Sequence, residues 1–258
     1  MKTCFIEQSC GLGDILLSAK IGNHYSSLGY DVVWPVEATY NYIDKYIKAP
    51  GVTFVDKNTE FKNKDKYYSL VEKKVCEVTE FDECLYVPIK NSFFSSAGRK
   101  LMSNTGYHDY ANMHGKFAMC SLDPKGWQDY FSIKRNLEKE QQLFSYLQLH
   151  NSHYHLVNKN FGTPPRWREV LEKKVITPFG HKRVEMFVSS DYTIFDWLKV
   201  FEKADRIDTV STSTFYLFEK LNLKCTPAVY SRNTSFRSYE ENFEWLQKFA
   251  RNNYIFIS

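Results

Sequence analysis

The sequence predicts an α/β protein that is built from two parallel sheets. Three observations support this class. A short strand, a glycine-containing turn, an amphipathic helix and a second strand follow one another over residues 3–34. A second series of strands and helices begins at 153–157 and runs to the end of the chain. No internal repeat or low-complexity tract interrupts the series, and strand–helix alternation is typical of parallel sheets.

The N-terminal unit begins with a predicted strand at 3–7 and the turn Gly11-Leu12-Gly13-Asp14. A helix is predicted next, because apolar residues recur at spacings of four, four and three and so share one helix face. These residues are Leu17, Ile21, Tyr25 and Leu28. Gly29 stands where a glycine commonly ends a helix. A second strand is predicted at 31–34, stopped by Pro35.

The alternation continues with a helix at 40–47 and strands at 52–55 and 83–87, and then Asn136 is predicted to cap a helix. The later elements begin with a strand at 153–157. The predicted strands and helices after it are a strand at 184–188, a capping box at 193–196, a strand at 207–210, a helix after 211–214, a strand at 228–230 and a helix at 240–250. We therefore expect a first domain at 1–149 and a second domain at 150–258.

Composition limits the functional classes. Of the 258 residues, 43% are hydrophobic and 25% are charged, which is typical of a globular protein. The net charge is +4 and the basic residues are scattered, so we expect no nucleic acid partner. No apolar run approaches the ~18 residues of a membrane helix, and the N-terminus does not resemble a secretion signal. We expect a cytoplasmic protein with at most peripheral membrane association.

The six cysteines form no CxxC pair, so we expect reduced thiols and no zinc site. No GxSxG, HExxH or Walker sequence is present, so the serine hydrolase, zinc protease and P-loop classes lose their support.

The first candidate site is the turn Gly11-Leu12-Gly13-Asp14. Gly11 and Gly13 would let backbone amides approach a ligand at the start of a helix. Asp14 would repel a phosphate there, so it is either a helix N-cap or a general base that faces a hydroxyl. The full GxGxxG pattern of dinucleotide-binding proteins is absent because residue 16 is leucine.

The second candidate site is the run Ser211-Thr212-Ser213-Thr214 at the end of a predicted strand. Several hydroxyls beside free helix N–H groups would bind a diphosphate without a metal, while simple capping by Ser213 is the structural alternative. Asn158, at the end of another predicted strand, belongs to the same expected site.

Basic residues are expected beside these hydroxyls, where they would stabilise the charge of a leaving diphosphate. The candidates are Lys159, the cluster His181-Lys182-Arg183 and Arg232, with Arg183 and Arg232 as the preferred pair. Each could equally be an ordinary surface residue.

With these residues assembled, the chain resembles the GT-B glycosyltransferases, most closely the heptosyltransferase-like family that uses nucleotide-activated sugars. The run Gly11-Leu12-Gly13-Asp14-Ile15-Leu16-Leu17 is similar to that family's N-terminal motif. The segment 204–213 is similar to its C-terminal donor motif, from which it departs at Ser211, Ser213, Thr214 and Tyr216.

The resemblance implies two Rossmann-like domains facing a cleft, with the last helix packing back on the first domain. It implies transfer of a sugar from a nucleotide-sugar donor to a hydroxyl of a glycan or similar acceptor. In that scheme Asp14 is the catalytic base, Gly11 and Gly13 form the acceptor-side loop, and no cofactor or metal is required. The donor would be bound by Asn158, Lys182, Arg183, Ser211, Thr212, Ser213 and Arg232.

Two other functions remain open. A Rossmann methyltransferase would use the same glycine turn and would need an acid after the second strand, where the sequence has Glu37. A non-catalytic carbohydrate- or protein-binding module would keep the fold and lack a working donor site.

Overall fold

A computed structural model describes residues 1–8, 11–106, 108–161, 168–169, 175–231 and 239–257. It contains two five-stranded sheets, one entirely parallel and one parallel except for an edge strand, with helices between the strands. The predicted α/β class is confirmed. No helix in these ranges is both long enough and apolar enough to cross a membrane.

The chain divides into two compact units by its internal contacts. Unit 1 contains Met1–Ile133 and Glu244–Phe249, and unit 2 contains Lys134–Phe243 and Ala250–Ser258. The division falls at 133/134, ahead of the expected boundary at 149/150. The expectations that two domains face a cleft and that the last helix packs on the first domain stay predictions.

The described residues of unit 1 form seven strands. They are β1 (Thr3–Ile6), β2 (Asp31–Val36), β3 (Ile47–Lys48), β4 (Val52–Asp56), β5 (Thr79–Glu80), β6 (Cys84–Val87) and β7 (Ser132–Ile133). The order in the main sheet is β4-β2-β1-β6-β5, and only β5 is antiparallel to its neighbour. Strands β3 and β7 form a separate antiparallel pair.

The helices of unit 1 cover both faces of this sheet. They are α1 (Leu12–Ser27), α2 (Ile43–Tyr46), α3 (Lys64–Glu72), α4 (Ser96–Thr105) and α5 (His108–Ala118), with 3-10 helices at Ala38–Tyr40, Ile89–Phe94 and Trp127–Tyr130. On one face, α3 packs Tyr67 and Leu70 against Phe5. On the other face, Gly22 of α1 lies against Ile6 and Val52, because neighbouring strand residues point to opposite faces.

Helix α1 begins and ends at glycines. Gly11 is the N-cap with a φ of 80°, and Gly29 follows the C-cap residue Leu28 with a φ of 89°, so both adopt the left-handed conformation that glycine tolerates best. The prediction for Gly29 is confirmed. The alternative in which Asp14 caps the helix is wrong, because Asp14 lies inside its first turn.

The prediction that Pro35 stops the second strand is also wrong. Strand β2 continues to Val36 and pairs with β4 as far as Val36 and Asp56. Pairing of β2 with β1 ends earlier, at Val33 and Phe5. Pro35 therefore lies beyond the residues of β2 that pair with β1. Its missing N–H breaks no hydrogen bond between β1 and β2.

Unit 2 contains the second sheet. Its strands are β8 (Tyr154–Asn158), β9 (Asn160–Phe161), β10 (Arg168–Glu169), β11 (Lys182–Glu185), β12 (Arg206–Val210), β13 (Ala228–Tyr230) and β14 (Ile255–Ile257). The sheet order is β11-β8-β12-β13-β14, and every pair in it is parallel. Strands β9 and β10 form a short antiparallel pair.

The remaining helices are α6 (Leu137–Tyr146), α7 (Leu198–Lys203), α8 (Ser213–Phe218) and α9 (Tyr239–Phe249), with a 3-10 helix at Ile194–Trp197. Two predicted caps are confirmed. The Asn136 side chain accepts a hydrogen bond from the Lys139 amide, and Thr193 and Asp196 form a capping box. The last turns of α9 belong to unit 1, where Trp245 stacks on Phe117.

Candidate functional site

Each main sheet has one position where its strand order reverses. In unit 1, β2 and β4 extend to one side of β1 and β6 lies on the other, so β1 and β6 flank the reversal. In unit 2, β11 lies on one side of β8 and β12 on the other, so β8 and β12 flank it. Ligands of open α/β sheets bind beyond the carboxyl ends of such strands.

The loop after β1 is anchored to β6 and β2. The Glu7 amide donates to the Val87 carbonyl at 2.9 Å, and the Tyr86 hydroxyl donates to Glu7 Oε2 at 2.5 Å. The Gln8 carbonyl accepts from the Trp34 indole at 3.0 Å. Glu7 and Gln8 are both buried, so the loop after β1 is held firmly in place.

Asp14 lies in the first turn of α1, directly after this loop. Its side chain is one-third exposed, and a methyl group added at Gly11 would meet Asp14 Oδ2 at 2.5 Å. The carboxylate therefore folds back over Gly11 at the helix N-terminus, where the helix dipole stabilises a negative charge. Gly13 is the second residue of the helix and carries no side chain beside the carboxylate.

Lys116 of α5 is the positive partner of Asp14. Its side chain is only 2% exposed, and its Nζ lies 3.4 Å from Asp14 Oδ1. The same ammonium group donates to Gln8 Oε1 at 2.6 Å and to the Ile89 carbonyl at 3.3 Å. Because Gln8 follows β1 and Ile89 follows β6, Lys116 joins the two loops at the strand reversal of unit 1.

The sequence analysis missed Lys116. It lies in a stretch with many aromatic residues and no clean periodicity, and its partners are distant in the chain. The one sequence signal is a lysine among the buried positions 115–117 near the end of α5.

In unit 2, the structure brings Asn158 and Ser211 to the corresponding edge. Asn158 ends β8, and Ser211 directly follows β12. Asn158 is buried, and its amide donates to Thr209 Oγ1 at 3.1 Å, so part of its hydrogen-bonding capacity is used inside the sheet. Ser211 is also buried, and its backbone N–H donates to the Tyr230 carbonyl at 2.9 Å.

The hydroxyl run divides into buried and accessible members. Thr214 is buried, and its hydroxyl lies 3.1 Å from Thr209 Oγ1. Thr212 and Ser213 are partly exposed, with their hydroxyl oxygens 3.4 Å apart. Helix α8 begins at Ser213, its N-cap residue is Thr212, and no side chain caps it. The alternative of simple capping by Ser213 is therefore wrong.

The structure does not bring the expected basic residues to this edge. Lys182 is the first residue of β11 and donates to the Leu147 carbonyl at 2.7 Å, which places it at the amino edge of the sheet. The next residue, Arg183, donates to the Val175 carbonyl at 2.8 Å and to Glu185 at 3.0 Å. The expectation that both face the edge of Ser211 is wrong, and Arg232 lies outside the described residues.

Unit 2 also contains a buried charged network that the sequence analysis missed. Asp208 in β12 is fully buried and accepts hydrogen bonds from three side chains. These bonds come from His155 at 2.5 Å, Arg206 at 2.6 and 3.2 Å, and the Tyr230 hydroxyl at 2.6 Å. Burial alone would raise the pKa of Asp208, but these hydrogen bonds hold it below its ordinary value.

The side chains that could bind a metal ion lie at the other edge of the sheet in unit 2. Among the described residues, one cluster of three histidine and aspartate side chains occurs, at the amino ends of β8, β11 and β12. The edge that carries Asn158 and Ser211 is at the opposite ends of the same strands.

No known family model matches the chain, and no curated protein matches it in sequence. Its structure is similar to three solved glycosyltransferases. The glycosyl transferase family 9 protein from Veillonella parvula has a TM-score of 0.49 and 11% identity, covering 98% of this chain and 92% of that one.

The iron-containing dodecameric glycosyltransferase TibC from enterotoxigenic E. coli has a TM-score of 0.45 and 8% identity, over 89% of this chain. This chain spans 58% of the length of TibC. The E. coli heptosyltransferase WaaC, solved with ADP-2-deoxy-2-fluoro heptose, has a TM-score of 0.41 and 10% identity. That similarity covers 92% of this chain and 91% of WaaC.

Proposed function

We propose that this chain is a glycosyltransferase that moves a sugar from a nucleotide-sugar donor to a hydroxyl of a glycan or similar acceptor, without a metal. The observation that carries the proposal is the Asp14 carboxylate at the strand reversal of unit 1. It is one-third exposed, and its contact with Lys116 is a long 3.4 Å. A carboxylate that is oriented yet accessible suits a general base.

In the proposed reaction, Asp14 accepts the proton of the acceptor hydroxyl. The acceptor oxygen forms a bond to the anomeric carbon of the donor sugar, and the bond between that carbon and the diphosphate oxygen breaks. The nucleoside diphosphate leaves with the electron pair. Proton transfer to a positioned base contributes typically ~10²–10⁴-fold to a rate.

Lys116 is a positioning residue in this scheme. Its ammonium is buried and is held by Gln8 Oε1 and the Ile89 carbonyl, so it is fixed relative to β1 and β6. A fixed positive charge beside Asp14 Oδ1 restrains the carboxylate, while Asp14 Oδ2 stays on the side of Gly11. Small displacements of a reacting group reduce rates strongly, so this restraint supports catalysis.

The donor diphosphate is assigned to the carboxyl edge of unit 2. Thr212 and Ser213 are the accessible hydroxyls there, and hydroxyl groups bind phosphate oxygens as neutral donors. Lys159 directly follows β8, and its ammonium group forms an ion pair with Glu185 at 3.3 Å. Ser211 and Asn158 support the edge from within, since both are buried.

The methyltransferase alternative requires an acidic residue after the second strand, and the structure gives this role of Glu37 less support. Glu37, directly after β2, forms an ion pair with Lys57 at 2.8 Å, so the carboxylate expected to hold ribose hydroxyls already has a charged partner. The binding-module alternative lacks a working donor site and so differs from the proposal in donor binding, and the following experiment separates all three functions.

The full chain is tested first for binding of UDP, GDP, ADP and S-adenosylhomocysteine by thermal shift. A nucleoside diphosphate at 100 times its Kd should stabilise the fold by about 2.7 kcal/mol. Release of nucleoside diphosphate from the matching nucleotide sugar is then measured, since slow hydrolysis of the donor needs no known acceptor. Stabilisation by S-adenosylhomocysteine alone favours the methyltransferase, and the absence of stabilisation by any of the four ligands favours the binding module.

The donor edge is tested with Thr212→Ala combined with Ser213→Ala, compared with Ser152→Ala in the same unit as the control. The double variant should bind the nucleoside diphosphate more weakly, while the control should bind it as the unchanged chain does. Equal affinity in all three proteins would contradict the assignment of the diphosphate to this edge.

A further inference from the structure

Three potential metal ligands meet at the amino edge of the second sheet. His153 directly precedes β8, His181 directly precedes β11, and Asp205 directly precedes β12. One ligand atom from each lies within 4.8 Å of the other two. Because β11, β8 and β12 are adjacent parallel strands, their register brings together residues that are far apart in sequence.

Each of the two histidines offers one ring nitrogen to the cluster. His181 Nδ1 lies 3.3 Å from the Phe179 carbonyl, and in the tautomer that donates to this oxygen the other ring nitrogen, Nε2, is the one available to a metal. A backbone carbonyl is a usual hydrogen-bond partner of a metal-binding histidine. The His153 and His181 rings lie 5.8 Å apart between centroids, and the His153 side chain is largely exposed.

The carboxylate of Asp205 is held in place by three neighbours. Its Oδ2 accepts from the Tyr154 amide at 3.0 Å and lies 3.3 Å from His153 Nδ1, whereas Oδ1 pairs with Lys224. Oδ2 therefore faces His153, while Lys224 occupies the other oxygen.

We propose that His153, His181 and Asp205 bind one divalent transition-metal ion of the Zn²⁺ class. Zinc bonds to imidazole nitrogen and carboxylate oxygen are ~2.0–2.2 Å, so neighbouring ligands of a tetrahedral ion lie roughly 3.3 Å apart. The 3.3 Å separation of His153 Nδ1 and Asp205 Oδ2 matches that spacing. Two imidazoles and one carboxylate favour Zn²⁺ over Mg²⁺ or Ca²⁺, which prefer oxygen ligands.

This ion would join the amino ends of three strands and leave one coordination position to solvent. The site lies at the opposite edge of the sheet from Ser211, so it does not depend on the glycosyl transfer proposed above. Cys225 is a nearby thiol, but it does not belong to the group of ligand atoms that lie within 4.8 Å of one another.

The experiment titrates the metal-free full chain with ZnCl₂ by isothermal calorimetry, with MgCl₂ as the comparison ion. We expect one equivalent of zinc to bind with a Kd tighter than about 100 µM, and no heat of binding from magnesium. His153→Ala and Asp205→Asn should each weaken zinc binding by at least the ~10–100-fold that loss of an outer-shell partner produces.

His150→Ala and Cys225→Ser are the matched controls, and both should keep the affinity of the unchanged chain. His150 is an exposed histidine of the same unit whose partners are Gln141 and Ser145. Since His153 is mostly exposed, its alanine variant should fold normally, and circular dichroism checks this. Absence of saturable zinc binding, or equal affinity in His153→Ala and His150→Ala, would overturn the proposal.

Discussion

The carboxylates of Asp14 in unit 1 and Asp208 in unit 2 differ in their exposure to solvent and in their hydrogen-bond partners. Asp14 follows a strand end, is one-third exposed, and lies 3.4 Å from the ammonium group of Lys116. Asp208 lies within β12, is fully buried, and accepts hydrogen bonds of 2.5–3.2 Å from His155, Arg206 and Tyr230. A saturated buried carboxylate stabilises a fold, whereas an accessible and loosely paired one is available for proton transfer. We therefore assign the chemistry to unit 1.

The largest loss of stability is expected when Asp208 is changed. Asp208→Asn should lower the free energy of unfolding by about 3 kcal/mol, because the buried His155 ring and the Tyr230 hydroxyl lose the carboxylate to which they are hydrogen-bonded. Urea denaturation measures this loss, with the exposed Asp191→Asn as the control, expected within ~0.5 kcal/mol of the unchanged chain. An Asp208 variant as stable as the control would show that the network is dispensable.

The same network predicts a dependence of stability on pH. Since the folded-state pKa of Asp208 is below its ordinary value, its contribution is fully present above about pH 4 and is lost as the pH falls toward the folded-state pKa. Asp208→Asn lacks this contribution, so the difference in stability between the two proteins should shrink below pH 4. A difference that stays constant from pH 6 to pH 2 would contradict the assignment.

A smaller effect is expected when Lys116 is changed and Asp14 is kept. Lys116→Met removes the charge that restrains Asp14 Oδ1, so release of nucleoside diphosphate should slow by roughly 10–100-fold while donor affinity is retained. The exposed Lys125→Met in the same unit is the control and should keep the full rate. If the Lys116→Met variant binds the donor normally and keeps the full rate too, Lys116 does not position the base.

The smallest effect is expected at the turn before α1. Gly11→Ala places a Cβ in the left-handed conformation, which costs about 1–2 kcal/mol, and pushes Asp14 Oδ2 away. Gly29→Ala imposes a similar backbone strain, but its Cβ meets nothing within 4 Å. Both variants should lose similar stability in thermal melts, and only Gly11→Ala should also lose turnover. Equal turnover in the two variants would show that catalysis does not require the Asp14 carboxylate to lie against Gly11.

Local signals in the sequence predicted local structure well. Gly29, Asn136 and the Thr193–Asp196 pair were interpreted correctly because a helix end is determined by a few neighbouring residues. Pro35 was misinterpreted because its effect depends on which strand lies beside it, and that is set by distant residues.

The site was predicted only in part, for the same reason. Asp14 and Ser211 follow predicted strands, so strand direction alone places them at carboxyl edges. Lys116 meets Asp14 across a long stretch of chain, and the partners of Asp208 come from three strands, so neither arrangement has a local signature. Lys182 was placed at the wrong edge because β11 begins at that residue.

The most direct test of the account compares the unchanged chain with Asp14→Asn in two assays, donor binding and nucleoside diphosphate release. The asparagine side chain keeps the size of Asp14 and cannot accept the proton, so donor affinity should stay the same while release falls by about 10²–10⁴-fold. Release at an undiminished rate from the Asp14→Asn variant would contradict the account, because Asp14 would then have no part in the reaction.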